Sequence, residues 1–398
     1  MTGGPNRRHP RYLVVGSSYA GTRAAIQLAR ENPDADVTIV GGDLDGHYDR
    51  TEVSKGALAA EPVVPRRFVR AEDLAAAGVR AALGHPAVRI DPHSHVVTDA
   101  AGQHYPYDRA LIATGSVPAN PWSAVAGARV LHSAADAAGL QSLLQPGARV
   151  VIVGAGLIGL EVAAAARARD CEVTAVDEAD GVLAGHLPRP VGQLVRTVHA
   201  TNEVRFILNT ATEVNASASG GRTSVSLAGG ELIQADVTVI AVGMRPNVDW
   251  LRGTALEIDR CLVCDMSLTT SNEDVLVAGD AAQIRGATST LMLEHVTAAT
   301  ETAQTAATNM TRHRADRTNT HITGFFWSDF YGHRLQVLGA PTPADDFCWL
   351  ARNRVGFCSR AGVCTAVVLV DAADKIREAR SQLGQPIAHL HHTFQGAS

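Results

Sequence analysis

The stretch Arg149 to Glu178, RVVIVGAGLIGLEVAAAARARDCEVTAVDE, restricts what this chain can fold into more than any other. Val150 to Val153 is a short, mostly β-branched apolar run, as a strand buried on both faces requires. Gly154, Gly156 and Gly159 follow in G-x-G-x-x-G spacing. Leu157 and Ile158 open an Ala- and Leu-rich run to Ala168 that predicts a helix. Glu172 to Val176 reads as a second strand, closed by Asp177 and Glu178. Glycines at that spacing allow a tight turn, close approach of backbone to a pyrophosphate, and close packing of helix on strand. The helix N-terminus offers unpaired N–H groups and partial positive charge to phosphates. Asp177 lies 23 residues beyond Gly154, where an acidic side chain meets a ribose 2′-hydroxyl. The stretch predicts a dinucleotide site.

The same arrangement occurs near the start. Arg11 to Val15 reads as a strand and leads into Gly16-Ser17-Ser18-Tyr19-Ala20-Gly21, with Ser18 in the middle glycine position. Thr22 to Arg30 reads as helix and Asp36 to Val40 as strand, with Asp43 shortly after. Serine is small, so the backbone can still approach a pyrophosphate. Two such units form an internal repeat and predict two bound dinucleotides.

At 398 residues the chain has length for two or three domains. A net charge of −5 and a pI near 6.3 argue against nucleic acid or an anionic membrane as partner. No segment reaches the roughly 20 apolar residues of a membrane span. The N-terminal MTGGPNRRHPRYL lacks the apolar region and cleavage site of a signal peptide, so a cytoplasmic location is expected. The six cysteines do not suggest a disulfide framework in so long a chain. Cys261-Leu-Val-Cys264 has redox-motif spacing but lies in a strand-like stretch, where residues three apart point to opposite faces. A structural origin is expected, and no zinc. The terminal His389, His391 and His392 read as a solvated tail, so no metal is expected.

Between and beyond the repeats, Arg109 to Ile112 leads into Ala113-Thr114-Gly115 and a Pro-containing linker. The second nucleotide fold closes at VTVIAVGMRPN, which contains Gly243. Val275 to Ala278 reads as a strand ending in Gly279-Asp280. A helix is predicted from about Thr297 to Met310, with Thr297 as its cap. The remainder reads as strands, then a last helix from Ala372 to Leu383. The expected division is 1–117 with 244–320, then 118–243, then 321–398.

The order GSSYAG, YDR…SK, ATG, GAGLIGLE, VGMRPN, VAGD, EH, FFWSD resembles the FAD-dependent, NADH-dependent ferredoxin reductases of bacterial cytochrome P450 and ring-hydroxylating dioxygenase systems. These belong to the pyridine nucleotide–disulfide oxidoreductase superfamily. The resemblance implies an α/β fold with two Rossmann-like domains, for FAD and NAD, and a small α+β C-terminal domain. It implies that Gly16, Ser18, Ala20, Gly21 and Asp43 hold the FAD pyrophosphate and ribose. Arg50 and Lys55 match a loop whose lysine lies near flavin N5, and Glu161 matches that lysine's partner. Ala113, Thr114 and Gly115 match the strand end where the chain crosses between domains. Asp280, with Gly279, matches the aspartate that bonds the ribityl chain. Glu294, His295 and Val296 fall at the flavin pyrimidine end, and Trp327 matches an aromatic that covers the ring. NADH falls to Gly154, Gly156, Leu157, Ile158, Gly159, Asp177, Glu178 and Gly243.

The residues agree with those roles. Lys55 buried would need a counter-charge, and Glu161 can supply one. Asp177 and Glu178 would repel a 2′-phosphate, and no arginine follows until Arg189, so NADH is expected over NADPH. The chain departs from the family pattern at Thr51-Glu52, where prolines stand, at Val296, where tryptophan is frequent, and at Gly324, near a missing proline. The implied acceptor is a [2Fe-2S] ferredoxin. The alternatives are an NADH oxidase or quinone-type reductase with a small acceptor, or a low-turnover NADH-binding flavoprotein. The loop Thr51 to Lys55 has no cysteine, which argues against thiol chemistry. Arg66, Arg67 and Arg70, or Arg312, Arg314 and Arg317, are candidate basic docking clusters for an acidic ferredoxin. A monomer or weak homodimer is expected.

Overall fold

A computed structural model describes residues 9–59, 63, 66–178, 181–216, 222–286, 290–292, 295–350 and 354–389. The chain forms two compact units: 1–49 with 66–117 and 245–322, and 50–65 with 118–244 and 323–398. The segment 50–65 thus belongs with the second unit.

The first unit is built on a five-stranded parallel sheet in the order Val275–Val277, Arg109–Ile112, Arg11–Val15, Asp36–Gly41, Val79–Leu83. Its central strands are continuous apolar runs because helices and loops cover both faces. Val14, Ile39, Leu111 and Leu276 are fully buried. The helix Tyr19–Glu31 presents Ala24, Ala25 and Leu28 to the same core, and Val296–Met310 presents Ala303, Ala306 and Ala307. Small residues let these elements approach closely. The unit also holds two three-stranded sheets, one of Ala87–Asp91, Val96–Asp99 and His104–Pro106 and one of Leu262–Cys264, Ala282–Arg285 and Thr290–Met292.

The second unit repeats the plan. Its parallel sheet runs Arg205–Leu208, Glu172–Asp177, Arg149–Val153, Val237–Ile240, Ala128–Arg129. In both units the strand before the glycine-rich turn lies centrally, and the chain proceeds first to one side of it and later to the other. Such a reversal leaves a crevice at the carboxyl ends of the strands. The C-terminal part is α+β: an antiparallel sheet in the order Phe325–Phe330, His333–Gly339, Val363–Val370, Val355–Arg360, Asp346–Leu350, with the helix Ile376–Gln382. Strand Phe325–Phe330 alternates, burying Phe326, Ser328 and Phe330. Phe326 and Phe330 pack with Leu160 and Ala164 of helix Leu157–Arg167.

Two expectations need correction. Helix Val296–Met310 starts one residue before the predicted Thr297 and is capped by His295, without a side-chain cap bond. The last helix is split into a 3-10 turn, Ala373–Lys375, and the α-helix Ile376–Gln382. Cys261 and Cys264 are both buried. Burial pushes the Cys264 thiol up to about 12, which suits an inert structural residue. Among the described residues no helix is long and apolar enough to cross a membrane.

Candidate dinucleotide and redox sites

In the first unit the glycine-rich turn is fixed by sterics. Gly16 has φ +116°, and a Cβ there would stand 2.1 Å from the carbonyl oxygen of Ala113. A Cβ on Gly21 would stand 1.8 Å from the carbonyl oxygen of Gly16. The Gly16 N–H donates to Val40 O at 2.7 Å, and the Ala113 N–H donates to Val15 O at 2.7 Å. Ser18 caps the helix, and its side chain makes no cap bond.

The second unit reproduces this turn nearly atom for atom. Gly154 has φ +106°, and its Cβ would stand 2.2 Å from Ala241 O. That of Gly159 would stand 2.1 Å from Gly154 O. Gly154 N–H donates to Val176 O, and Ala241 N–H to Val153 O, both at 2.7 Å. A Cβ on Gly156 meets nothing within 4 Å. The protein therefore demands glycine at the first and third positions only, so Ser18 costs the first turn no packing. The open space at Gly156 suits a pyrophosphate drawn close to the backbone.

Around the first turn, Asp43 accepts from Tyr48 Oη at 2.9 Å and from its own loop at Asp45 N, 3.1 Å. Thr114 Oγ1 donates to Asn247 O at 2.8 Å. Gly115 has φ +65°. Gly279 has φ +68°, and a Cβ there would meet the methyl groups of Ala20 and Ala299 at 3.4 and 3.7 Å, while its N–H donates to Thr302 Oγ1 at 3.0 Å. The neighbouring Asp280 accepts from Ser116 Oγ at 2.7 Å. Glu294 lies outside the described residues, whereas His295 and Val296 sit at a helix N-terminus whose dipole favours negative charge.

In the second unit Asp177 Oδ2 accepts from the Ala155 N–H at 2.5 Å, so this carboxylate braces the turn. Glu178 is exposed. Gly243 has φ +108° and open space where a Cβ would be. Leu157 packs into the core, and Ile158 is half-buried.

The second unit also holds a polar cluster under the C-terminal sheet. The Lys55 side chain is 11% exposed, and its Nζ lies 3.1 Å from Glu161 Oε1; the Glu161 side chain is 4% exposed. Lys55 Nζ also donates to Thr51 O at 3.1 Å and stands 5.9 Å from the Trp327 ring centre. Ser328 Oγ donates to Glu161 Oε1 at 2.6 Å, and Ser54 Oγ donates to Oε2. Arg50 Nη1 lies 3.0 Å from His132 Nε2. Neither serine was expected from the sequence, nor were Ser116 and Thr302. For Ser328 the sequence carries a signal of burial, a serine between Phe326 and Phe330 on one face of the strand, but none of its partner.

The first predicted docking cluster is substantially neutralised by its own acids. Arg66 pairs with Asp49, Arg67 with Asp45, and Arg70 with Glu72 and Asp73. In the second, Arg317 donates to Thr269 Oγ1 and Glu273 O, and Arg312 to Asp316 O.

Residues 10–307 match the family model described as pyridine nucleotide-disulphide oxidoreductase, and 325–393 match one described as reductase C-terminal. Rhodocoxin reductase of Rhodococcus erythropolis is 31% identical over 84% of this chain and 79% of its own. The ferredoxin–NAD(+) reductase component of the anthranilate 1,2-dioxygenase system of Burkholderia cepacia is 32% identical over 82% of this chain and 81% of its own. The ferredoxin reductase for the CYP199A2 system of Rhodopseudomonas palustris superposes with a TM-score of 0.87 at 25% identity, covering 96% of each chain.

Proposed function

We propose, from the premise that this chain belongs to the pyridine nucleotide–disulphide oxidoreductase family and within it to the FAD-dependent ferredoxin and rubredoxin reductases, that it takes electrons from NADH through FAD to a [2Fe-2S] ferredoxin serving a P450 or ring-hydroxylating oxygenase. The observation that carries the reading is the duplicated turn, with matching collisions at Gly16 and Gly154 and at Gly21 and Gly159. One chain has two backbones shaped for a pyrophosphate, and a C-terminal sheet that matches the reductase model.

The residues present fit FAD and NADH. Gly16, Ser18 and Gly21 would leave backbone donors to the FAD pyrophosphate, with Ala20 and Gly279 keeping the helix end close to the strand end. Asp43 would take the ribose hydroxyls, and Asp280, oriented by Ser116, those of the ribityl chain. Charged carboxylates accept hydroxyl hydrogen bonds strongly. Ala113 to Gly115, Arg50, and the helix start at His295 and Val296 would complete the flavin contacts. Glu294 is assigned to the same end by resemblance alone. Lys55, paired with Glu161, would supply a fixed cation beside the ring, and Trp327 an apolar face for it. Gly154 to Gly159, Gly243, Asp177 and Glu178 would hold NADH. When bound, FAD supplies the exchange between a two-electron donor and a one-electron acceptor, and the chain's part is binding, orientation and charge. We assign the protein to the cytoplasm, as a monomer or weak homodimer.

The test is an anaerobic titration of purified protein with NADH, followed by steady-state turnover with and without a [2Fe-2S] ferredoxin. A yellow protein that bleaches rapidly, and turns over only with ferredoxin, is expected. Equal turnover with oxygen or a quinone would replace the ferredoxin with a small acceptor. Slow bleaching would favour a low-turnover flavoprotein.

The cofactor preference is separately testable. A 2′-phosphate beside the Asp177 carboxylate meets like charge at a few ångströms, a penalty on the order of 100-fold in affinity. We expect kcat/KM for NADH to exceed that for NADPH by about that factor. Equal values would remove Asp177 from the ribose site.

A further inference from the structure

Glu161 is a long, buried side chain whose last torsion is broad rather than sharply staggered. Held by Lys55 alone, its carboxylate could rotate and carry the ammonium with it. Two hydroxyls restrict that rotation: Ser54 donates to Oε2, and Ser328 donates to Oε1 at 2.6 Å, the oxygen that also faces Lys55 Nζ. The three donors reach Glu161 from the loop before helix Gly56–Ala59 and from strand Phe325–Phe330. Ser328 is 1% exposed and shares its face of the strand with Phe326 and Phe330. A serine there has its hydrogen bond met by Glu161 instead of water.

We propose that Ser54 and Ser328 are positioning residues for the reaction: one hydroxyl on each carboxylate oxygen locks Glu161, and Glu161 in turn fixes Lys55. The proposal rests on the reading above, in which Lys55 and Glu161 stand beside the flavin. It extends that reading to two residues whose hydroxyls are bonded to Glu161. Lys55 keeps its Thr51 carbonyl in any case, so losing the lock shifts the ammonium without expelling it.

The composition makes the idea measurable. Of the 35 Lys and Arg side chains, only Lys55 and Lys375 are lysines. Lys375 lies far along the chain, partly exposed and paired with Glu378, and serves as an internal reference. Acetylation of the purified holoenzyme and of the flavin-stripped protein with an N-hydroxysuccinimide ester, read by peptide mass, gives a Lys55:Lys375 ratio. S54A and S328A are each expected to raise that ratio severalfold, and the double variant more. In stopped flow, each is expected to slow NADH-driven bleaching about tenfold, the scale of one charge-assisted hydrogen bond. In an E161Q background the serine changes should add less than about twofold, because they act through Glu161. A purely structural role would slow both backgrounds alike.

An unchanged labelling ratio, or an equal loss in the E161Q background, overturns the proposal. If E161Q itself bleaches at the parental rate, the placement of Lys55 and Glu161 beside the flavin fails instead, and labelling still decides the lock. Should the double variant not fold, the single variants carry the test.

Discussion

Gly16→Ala protein is expected to purify colourless, and Gly154→Ala protein yellow but unresponsive to NADH. The same collision acts at both sites. A non-bonded carbon–oxygen contact near 2.1 or 2.2 Å lies about 1 Å inside van der Waals contact, and the other partner is backbone. Ala113 O and Ala241 O end strands whose next N–H groups bond Val15 and Val153, so neither can retreat without breaking its sheet. A φ above +100° adds strain for any residue with a side chain. The turn must then open, and the backbone donors proposed to meet a pyrophosphate move with it. We expect FAD retention to fall at least 100-fold for Gly16→Ala, and NADH-driven bleaching to fall as far for Gly154→Ala. Absorbance of the purified proteins and stopped-flow bleaching check both. Gly156→Ser is the control: a Cβ there meets nothing, and Ser18 already occupies the equivalent place. Its protein should stay yellow and respond to NADH with a loss under about tenfold. If Gly156→Ser fails as badly as Gly154→Ala, the steric account of the turn is wrong.

The second large effect concerns acid. His199, in helix Arg189–Thr201, is fully buried, and neither ring nitrogen has a hydrogen-bond partner among the described residues. Phe330, Tyr331 and Phe206 surround it at ring separations of 5.0 to 6.3 Å. Burial pushes its pKa down to about 4. The sign follows from proton counts. Between about pH 6.5 and pH 4 the unfolded chain holds a proton on this imidazole and the folded chain does not, so stability falls as pH falls through that window. A displacement of that size corresponds to about 3 kcal/mol at most. Urea unfolding at pH 7 and pH 4.5, compared between the parent and His199→Phe, isolates the contribution from other titrating groups. The parent should lose about 2–3 kcal/mol more than the variant over that range. Equal losses would mean that a bonding partner, such as ordered water, reaches the ring.

The sequence exposed those parts of the fold whose physical demands are local. Gly16 and Gly21, like Gly154 and Gly159, are required by atoms within one strand–turn–helix unit, so fixed spacing reveals them. Ser18 departs from the glycine pattern at a position equivalent to Gly156, where a Cβ meets nothing in the protein. Lys55 and Glu161 were legible through resemblance, not spacing. Ser54 and Ser328 were not legible, since they meet Glu161 from segments 107 and 167 residues away, and no periodicity records such a meeting. Thr297 failed as a helix cap because the helix starts one residue earlier, with His295 at the cap and no side-chain cap bond, which leaves no cap signature to read. His199 falls on the buried stripe of its helix with Val191 and Val195, and a polar residue on that stripe was the overlooked clue.

The bond from Ala155 N–H to Asp177 bears on any attempt to retool this protein for the phosphorylated coenzyme. Under the role proposed for Asp177, trading it for alanine would relieve the repulsion and, in the same stroke, orphan the Ala155 amide inside the glycine-rich turn. Asparagine keeps an oxygen at the same reach, so a successful swap has to preserve the brace while deleting the charge.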